Sequence, residues 1–185
     1  MSQAKSYASP IEIGEVVTGG AVGRIVESKC PKFDIGDTVE GFTIGWQKYA
    51  RTSSNNIRKI DPNIAPIQTS VGILGMPGMT AYFGLFEVCK PIPGDTVVVS
   101  AASGAVGQLV GQLAKLSNCK VVGIAGNKKK CEYLLNELNF DNVINYKEQN
   151  VFQEIKKTCP EGVNIYFDNV GGKIADDVIS NIAPF

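Results

Sequence analysis

The stretch TVVVSAASGAVG, residues 96–107, is the most informative part of this sequence for predicting its fold. It begins with an unbroken apolar run, which is typical of a strand buried on both faces of a parallel sheet. A glycine turn follows, and after it Leu109, Val110 and Leu113 recur at the spacing of one helix face. A second apolar run, KVVGIAG, occupies residues 120–126. The stretch therefore predicts a strand, a helix and a second strand parallel to the first.

The alternation of strands and helices continues to the end of the chain. The runs NVINY at residues 142–146 and NIYFDNV at residues 164–170 each precede a helical pattern, which makes four strand and helix pairs in succession. Such alternation predicts an α/β fold with a doubly wound parallel Rossmann sheet. With about four strands the sheet is incomplete, because the doubly wound dinucleotide-binding fold has about six.

The upstream half of the chain has a different pattern. Short β-branched runs broken by Gly and Pro fill residues 11–61 and predict a small β-rich unit. Residues 71–90 predict helical segments that Pro77 and Gly78 interrupt. The predicted domains are residues 1–74 and residues 75–185.

Composition excludes several classes of function. The 185 residues carry 18 basic and 18 acidic side chains, so no basic face is available for nucleic acid, and no apolar segment suits a signal peptide or a membrane span. Five widely spaced cysteines without a secretory signal indicate a reduced, cytoplasmic protein. The sequence contains no histidine and no paired C-x-x-C motifs, so we expect neither a metal site nor a histidine-based nucleophile.

The glycine turn AASGAVG, residues 101–107, partly matches the G-x-G-x-x-G fingerprint of dinucleotide sites, with Ala102 in place of the first glycine. Gly104 would let the backbone approach a pyrophosphate, and Gly107 would let the helix pack closely on the strand. The helix N-terminus would attract the anion. The alternative interpretation is that the glycines merely relieve crowding at a strand-to-helix turn.

The end of the second strand predicts which dinucleotide is bound. An NAD site typically has Asp or Glu there to hold the ribose hydroxyls, whereas this strand ends IAGN and continues with Lys128, Lys129 and Lys130. Positive charge without a carboxylate favours NADP. The alternative is a solvated lysine run, although the first turn of a helix is an unfavourable place for cations.

Several long motifs together resemble one family: AASGAVGQLVGQLAKL, VVGIAGNKKKCEYL, INYK and YFDNVGG, with GMPGMTAYFGL and GFTIGWQKYA upstream. The chain is similar over essentially its whole length to the zinc-independent branch of the medium-chain dehydrogenase/reductases. The closest group is the NADP-dependent alkenal/one oxidoreductases and prostaglandin reductases. The resemblance implies that residues 1–74 are part of a GroES-like catalytic domain and residues 75–185 part of an NADP-binding Rossmann domain.

The resemblance also implies roles for individual residues. The pyrophosphate would lie on Gly104, Ala105, Val106 and Gly107, and the 2′-phosphate would lie near Gly126, Lys130 and Tyr146. The residues that would face the nicotinamide region are Asn169, Met76 and Thr80. Ala101 would border the substrate. Three of these residues have other interpretations. Tyr146 could pack at a strand end, Asn169 could form a turn, and Thr80 could bond its own helix backbone. Trp46 and Tyr49 are predicted to belong to the core of the β-rich unit.

The reaction that the resemblance implies is transfer of a hydride from NADPH to the β-carbon of an α,β-unsaturated aldehyde or ketone, with protonation at the α-carbon. The family's tyrosine near the substrate oxygen would lie beyond residue 185, so no catalytic residue is assigned. The chain looks like a central fragment, and we expect a homodimer for the complete protein. Two alternatives stay open: a truncated nucleotide-binding fragment with weak catalysis, and an NADPH quinone oxidoreductase.

Overall fold

The computed structural model describes residues 10–42 and 44–184, which fall into two compact units, Met1–Gly75 and Met76–Phe185. Among these residues no helix has both the length and the apolar character needed to cross a membrane.

The first unit contains a small antiparallel sheet in the order β1-β2-β3. Its strands are β1 (Ala21–Arg24), β2 (Thr38–Gly41) and β3 (Arg58–Lys59), and 3₁₀ turns occupy Ser54–Asn56 and Ile67–Val71. The central strand β2 is buried along its whole length. This sheet fits the part predicted to be GroES-like.

The prediction that Trp46 and Tyr49 form part of this unit's core was wrong. The two side chains are 71% and 78% exposed. Both residues lie in the loop after β2, where the Trp46 backbone N–H donates to the Val17 carbonyl at 2.9 Å. The edge of the indole ring rests against Gly19, so close that a Cβ there would come within 2.7 Å of Nε1, and the rest of the ring faces outward.

The second unit contains a parallel sheet in the order β6-β5-β4-β7. Its strands are β4 (Thr96–Val99), β5 (Lys120–Ala125), β6 (Asn142–Asn145) and β7 (Ile165–Phe167). Its helices are α1 (Met76–Phe83), α2 (Gly107–Leu116), α3 (Lys128–Asn136), α4 (Val151–Thr158) and α5 (Gly172–Ile179). The predicted α/β class, with a four-stranded parallel sheet, is confirmed.

Helices cover both faces of this sheet because successive strand residues point to opposite sides. Val97 and Val99 of β4 pack in one fully buried cluster with side chains of α1, α2 and α3. Val98, between them, packs in a second cluster with side chains of α4 and α5. Burial on both faces explains why the strands read as continuous apolar runs.

Pro77 and Gly78 do not interrupt a helix, which corrects the sequence-based expectation. Pro77 is the second residue of α1. Proline is tolerated in a first helical turn, because the N–H it lacks would have no partner inside the helix. The helix then widens into a π-helical segment, Gly84–Cys89, where a Cβ on Gly84 would come within 2.7 Å of the Phe167 ring.

Candidate functional site

A cavity of about 320 Å³ opens at the carboxyl ends of β4, β5 and β6. This is the edge at which open parallel sheets bind their ligands. It is lined by Ala101, Ser103, Gly104, Ile124, Ala125, Gly126, Asn127, Lys130, Tyr146, Lys147, Val170 and Ile174. Five of the predicted site residues are thereby brought together: Ala101, Gly104, Gly126, Lys130 and Tyr146.

The glycine turn follows directly after β4 and is tightly folded. Ala101 has a left-handed backbone conformation with φ of 46°, and its carbonyl accepts a hydrogen bond from the Gly104 N–H at 2.8 Å. A Cβ on Gly107 would come within 2.5 Å of the same carbonyl oxygen. Only glycine therefore fits at the start of α2 without a shift of the backbone.

The first turn of α2 presents unpaired N–H groups at this edge. The Gln108 N–H donates to the Gly104 carbonyl at 3.1 Å. Among the described residues, no backbone carbonyl accepts from the N–H groups of Ala105, Val106 or Gly107, and no side chain caps the helix. Such groups at a helix N-terminus attract an anion.

The ends of β5 and β6, with Gly126, Lys130 and Tyr146, form what we call the phosphate end of the site. A Cβ on Gly126 would come within 2.8 Å of the Tyr146 hydroxyl, so the glycine lets the phenol lie over the strand end. Asn127 caps α3 by accepting the Lys130 N–H at 2.9 Å. Because of this cap, Lys130 lies in the first helical turn and lines the cavity, whereas Lys129 is not among the lining residues.

The other end of the same edge, where β4 and β7 stop, is tied together by side chains; we call it the β4–β7 end and define it by Ser100, Asp168 and Asn169. The buried Ser100 hydroxyl donates to Asp168 Oδ1 at 2.9 Å and accepts the Asn169 N–H at 2.8 Å. The Asn169 amide nitrogen donates to the Ser100 carbonyl at 2.9 Å. The three residues therefore lock the two strand ends to each other.

The carboxylate of Asp168 is held ionised. Burial raises its pKa, but hydrogen bonds from the Gly171 and Val170 N–H groups and from the Tyr166 and Ser100 hydroxyls outweigh burial and lower the pKa to about 2. The pKa of Tyr166 is raised, first by burial and further by the neighbouring Asp168 carboxylate. The pair is therefore a neutral phenol donating to an anion, at 2.8 Å.

The remaining predicted residues do not line the cavity. Ala105 and Val106, just before α2, and Gly107, its first residue, are not among the lining residues, and Asn169 is engaged with Ser100. Met76 and Thr80 lie exposed on α1.

Sequence reasoning missed the other seven lining residues: Ser103, Ile124, Ala125, Asn127, Lys147, Val170 and Ile174. Two of them could have been found from the sequence because they are neighbours of predicted site residues: Lys147 follows Tyr146, and Val170 follows Asn169.

The geometry can be set beside known proteins. A family model described as zinc-binding dehydrogenase matches residues 105–185, and one described as N-terminal domain of oxidoreductase matches residues 1–60. The 2-alkenal reductase (NADP(+)-dependent) of Nicotiana tabacum is 49% identical over 179 residues, which are 96% of this chain and 52% of the relative. Prostaglandin reductase 1 of Oryctolagus cuniculus is 42% identical over 176 residues, 93% of this chain and 50% of the relative.

Among solved structures, that of CurA from Vibrio vulnificus in complex with NADPH matches with a TM-score of 0.81 and 39% identity, covering 98% of this chain and 53% of the other. The chain thus spans about half the length of the relatives it matches.

The zinc named in one family description does not fit the residues present. The sequence has no histidine, and within residues 10–42 and 44–184 no three His, Cys, Asp or Glu side chains are grouped to hold a metal ion. Structural zinc takes about four ligands, mostly Cys and His, and catalytic zinc about three.

Proposed function

Because the chain belongs to the medium-chain dehydrogenase/reductase family, we propose that it binds NADPH at the carboxyl edge of its parallel sheet and forms part of an alkenal/one or prostaglandin-type reductase. The substrates would be α,β-unsaturated aldehydes and ketones, reduced at the carbon–carbon double bond. The observation that carries the proposal is the phosphate end. There Lys130 and Tyr146 line a cavity at the end of a strand that carries no carboxylate.

The residues present fit the dinucleotide in two places. Gly107 and the unpaired N–H groups of Ala105 and Val106 would hold the pyrophosphate, because a side chain at residue 107 would collide with the Ala101 carbonyl and move the helix away. Lys130 would pair with the adenosine 2′-phosphate through a charge-assisted hydrogen bond. The Tyr146 hydroxyl, held over Gly126, would add a neutral one.

When bound, NADPH supplies the hydride that reduces the double bond. The contribution of this chain is to bind and orient the dinucleotide. The buried Ser100 and its partners join the ends of β4 and β7, so the strand ends beside the cavity are in place before any ligand enters. Placement of this kind favours a single orientation of the bound molecule.

We test the proposal by titrating the 185-residue chain with NADPH and NADH, and by incubating it with NADPH and a trans-2-alkenal before mass analysis for the saturated aldehyde. We expect tighter binding of NADPH than of NADH, and only slow formation of the saturated product by the chain alone. Binding without turnover would support the alternative of a nucleotide-binding fragment, and faster turnover of a quinone than of the alkenal would support a quinone oxidoreductase. Equal affinity for NADH and NADPH would contradict the assignment of the phosphate end.

Further proposals concern partners and location. We propose that the complete protein is a homodimer, acts in the cytoplasm and uses neither nucleic acid nor a metal ion. The net charge of zero and the absence of histidine support the last two points. Sedimentation of the complete protein and metal analysis of the purified chain would check these proposals.

A further inference from the structure

The loop between β7 and α5 forms part of the cavity wall, and its own residues restrict its backbone conformation little. Gly171 and Gly172 both have left-handed conformations, with φ of 72° and 61°. Glycine adopts these angles without strain but is also free to leave them. Something outside the glycines must therefore fix the path of residues 168–172.

The Asp168 carboxylate supplies that restraint. Its Oδ1 accepts the N–H groups of Val170 and Gly171, each at 3.0 Å, and its Oδ2 accepts the Gly171 N–H at 3.1 Å. The same Oδ1 is anchored to the sheet by the hydroxyls of Ser100 and Tyr166, at 2.9 and 2.8 Å. The carboxylate thus links the strand end on one side to the glycine-containing loop on the other.

The loop carries apolar side chains into the cavity. Val170 and, one helical turn further, Ile174 of α5 line it beside Ala101 and Gly104. Asp168 is not among the described lining residues. Its effect on any ligand therefore passes through the residues that it positions.

The order of the strands indicates which part of the dinucleotide this wall meets. The strands run β6-β5-β4-β7, the phosphate end lies on β5 and β6, and the glycine turn follows β4. A dinucleotide with its 2′-phosphate at the phosphate end and its pyrophosphate at the glycine turn extends toward β7. Its nicotinamide half would therefore lie beside the loop that Asp168 holds.

We propose that Asp168 is a positioning residue for the nicotinamide half of the cofactor, which it serves by holding Val170 in the cavity wall. The inference rests on the proposed function, because it takes NADPH as the ligand. It assigns to the carboxylate no contact with the cofactor.

The experiment compares two ligands on the same 185-residue chain: NADPH, and 2′,5′-ADP, which has only the adenosine half. In Asp168→Ala we expect affinity for NADPH to fall about tenfold, while affinity for 2′,5′-ADP stays within about twofold of the unmodified chain. Asp168→Asn should lose less, because its amide oxygen can still accept from the loop. Lys173→Ala is the matched control: it removes only the ion pair with Asp177 on the neighbouring helix α5, leaves every bond to Asp168 in place, and should bind both ligands normally.

Val170→Ala provides a second route if Asp168→Ala does not fold. It keeps every backbone donor to Asp168 and removes only part of the wall, so NADPH alone should bind more weakly. Equal losses for the two ligands in these variants, or no loss for either, would overturn the inference. Failure of the unmodified chain to bind 2′,5′-ADP would instead overturn the proposed function itself.

Discussion

The two ends of the sheet's carboxyl edge are built in contrasting ways. At the phosphate end the functional groups are the exposed side chains of Lys130 and Tyr146. At the β4–β7 end Ser100, Asp168 and Asn169 are bonded to one another, and Asp168 also accepts hydrogen bonds from Tyr166 and from the loop that follows it. One end is therefore suited to recognise the charge of a ligand, and the other to hold two strand ends together.

Replacing Lys130 is expected to have the largest effect and to sharpen this contrast. Lys130→Ala should weaken NADPH binding by about 1.5–3 kcal/mol, because one charge-assisted contact with the 2′-phosphate is lost. NADH, which lacks that phosphate, should bind almost unchanged. Titration of both nucleotides measures the difference. Lys129→Ala is the control, since Lys129 shares the helical turn without lining the cavity. Equal losses for NADPH and NADH would reject the role.

Replacing Gly107 affects both ends, because the start of α2 lies between them. Gly107→Ala should lower the free energy of unfolding by about 1–3 kcal/mol, because the new Cβ would collide with backbone atoms. Urea denaturation monitors this loss. Gly104→Ala is the matched control, because its Cβ would meet only the Ala101 carbonyl oxygen, at 3.1 Å. Equal unfolding midpoints for the two variants would contradict the predicted close packing.

Removing the Tyr146 hydroxyl tests the weaker partner at the phosphate end. Tyr146→Phe should cost about 0.5–1.5 kcal/mol of NADPH binding, the usual range for a neutral hydrogen bond. The control is Tyr133→Phe, whose hydroxyl donates to Gln108 Oε1 at 3.0 Å and does not line the cavity. A loss of NADPH affinity as large as that of Lys130→Ala would show that the lysine charge does not dominate binding at the phosphate end.

The smallest expected effect is a pH dependence at the β4–β7 end. The pKa of Asp168 is lowered from 3.8 to about 2, so its ionised form stabilises the fold above the unfolded pKa. That stability should be lost as the pH falls from about 4 toward 2. Because Asp168 is exposed, solvent screening keeps the effect small. The free energy of unfolding, measured from pH 2 to 6, should fall more steeply at the acid end for the unmodified chain than for Asp168→Asn. Parallel curves for the two proteins would contradict this expectation.

The contrast between the two ends also explains what the sequence could predict. Apolar runs such as TVVV are determined by burial on both faces, so the strands of the parallel sheet were predicted correctly. At the phosphate end, the missing carboxylate and the following lysines were local signals for NADP, whereas Gly126 and Tyr146 were assigned from the family resemblance. The residues of this end are near neighbours in sequence or lie at adjacent strand ends, and the structure brings Gly126, Lys130 and Tyr146 together.

The β4–β7 end could not be predicted in the same way. Ser100 and Asp168 are 68 residues apart, and no pattern in the sequence around either residue predicts the hydrogen bond between them. Asn169 was assigned toward the nicotinamide from family resemblance, which stays a prediction; the bond from its amide nitrogen to the Ser100 carbonyl had no sequence signal. The outward position of Trp46 was missed for a related reason. A large aromatic residue favours burial on average, but a loop contact with Gly19 decides its place.

The position of that tryptophan gives each unit its own optical signal. Trp46 is the one tryptophan of the sequence and belongs to the first unit, whereas α1 to α5 all belong to the second. Indole emission therefore reports the environment of the first unit, and circular dichroism in the α-helical region reports mainly the second. Recording both signals in a single denaturation would reveal whether the two units unfold in one transition or in two.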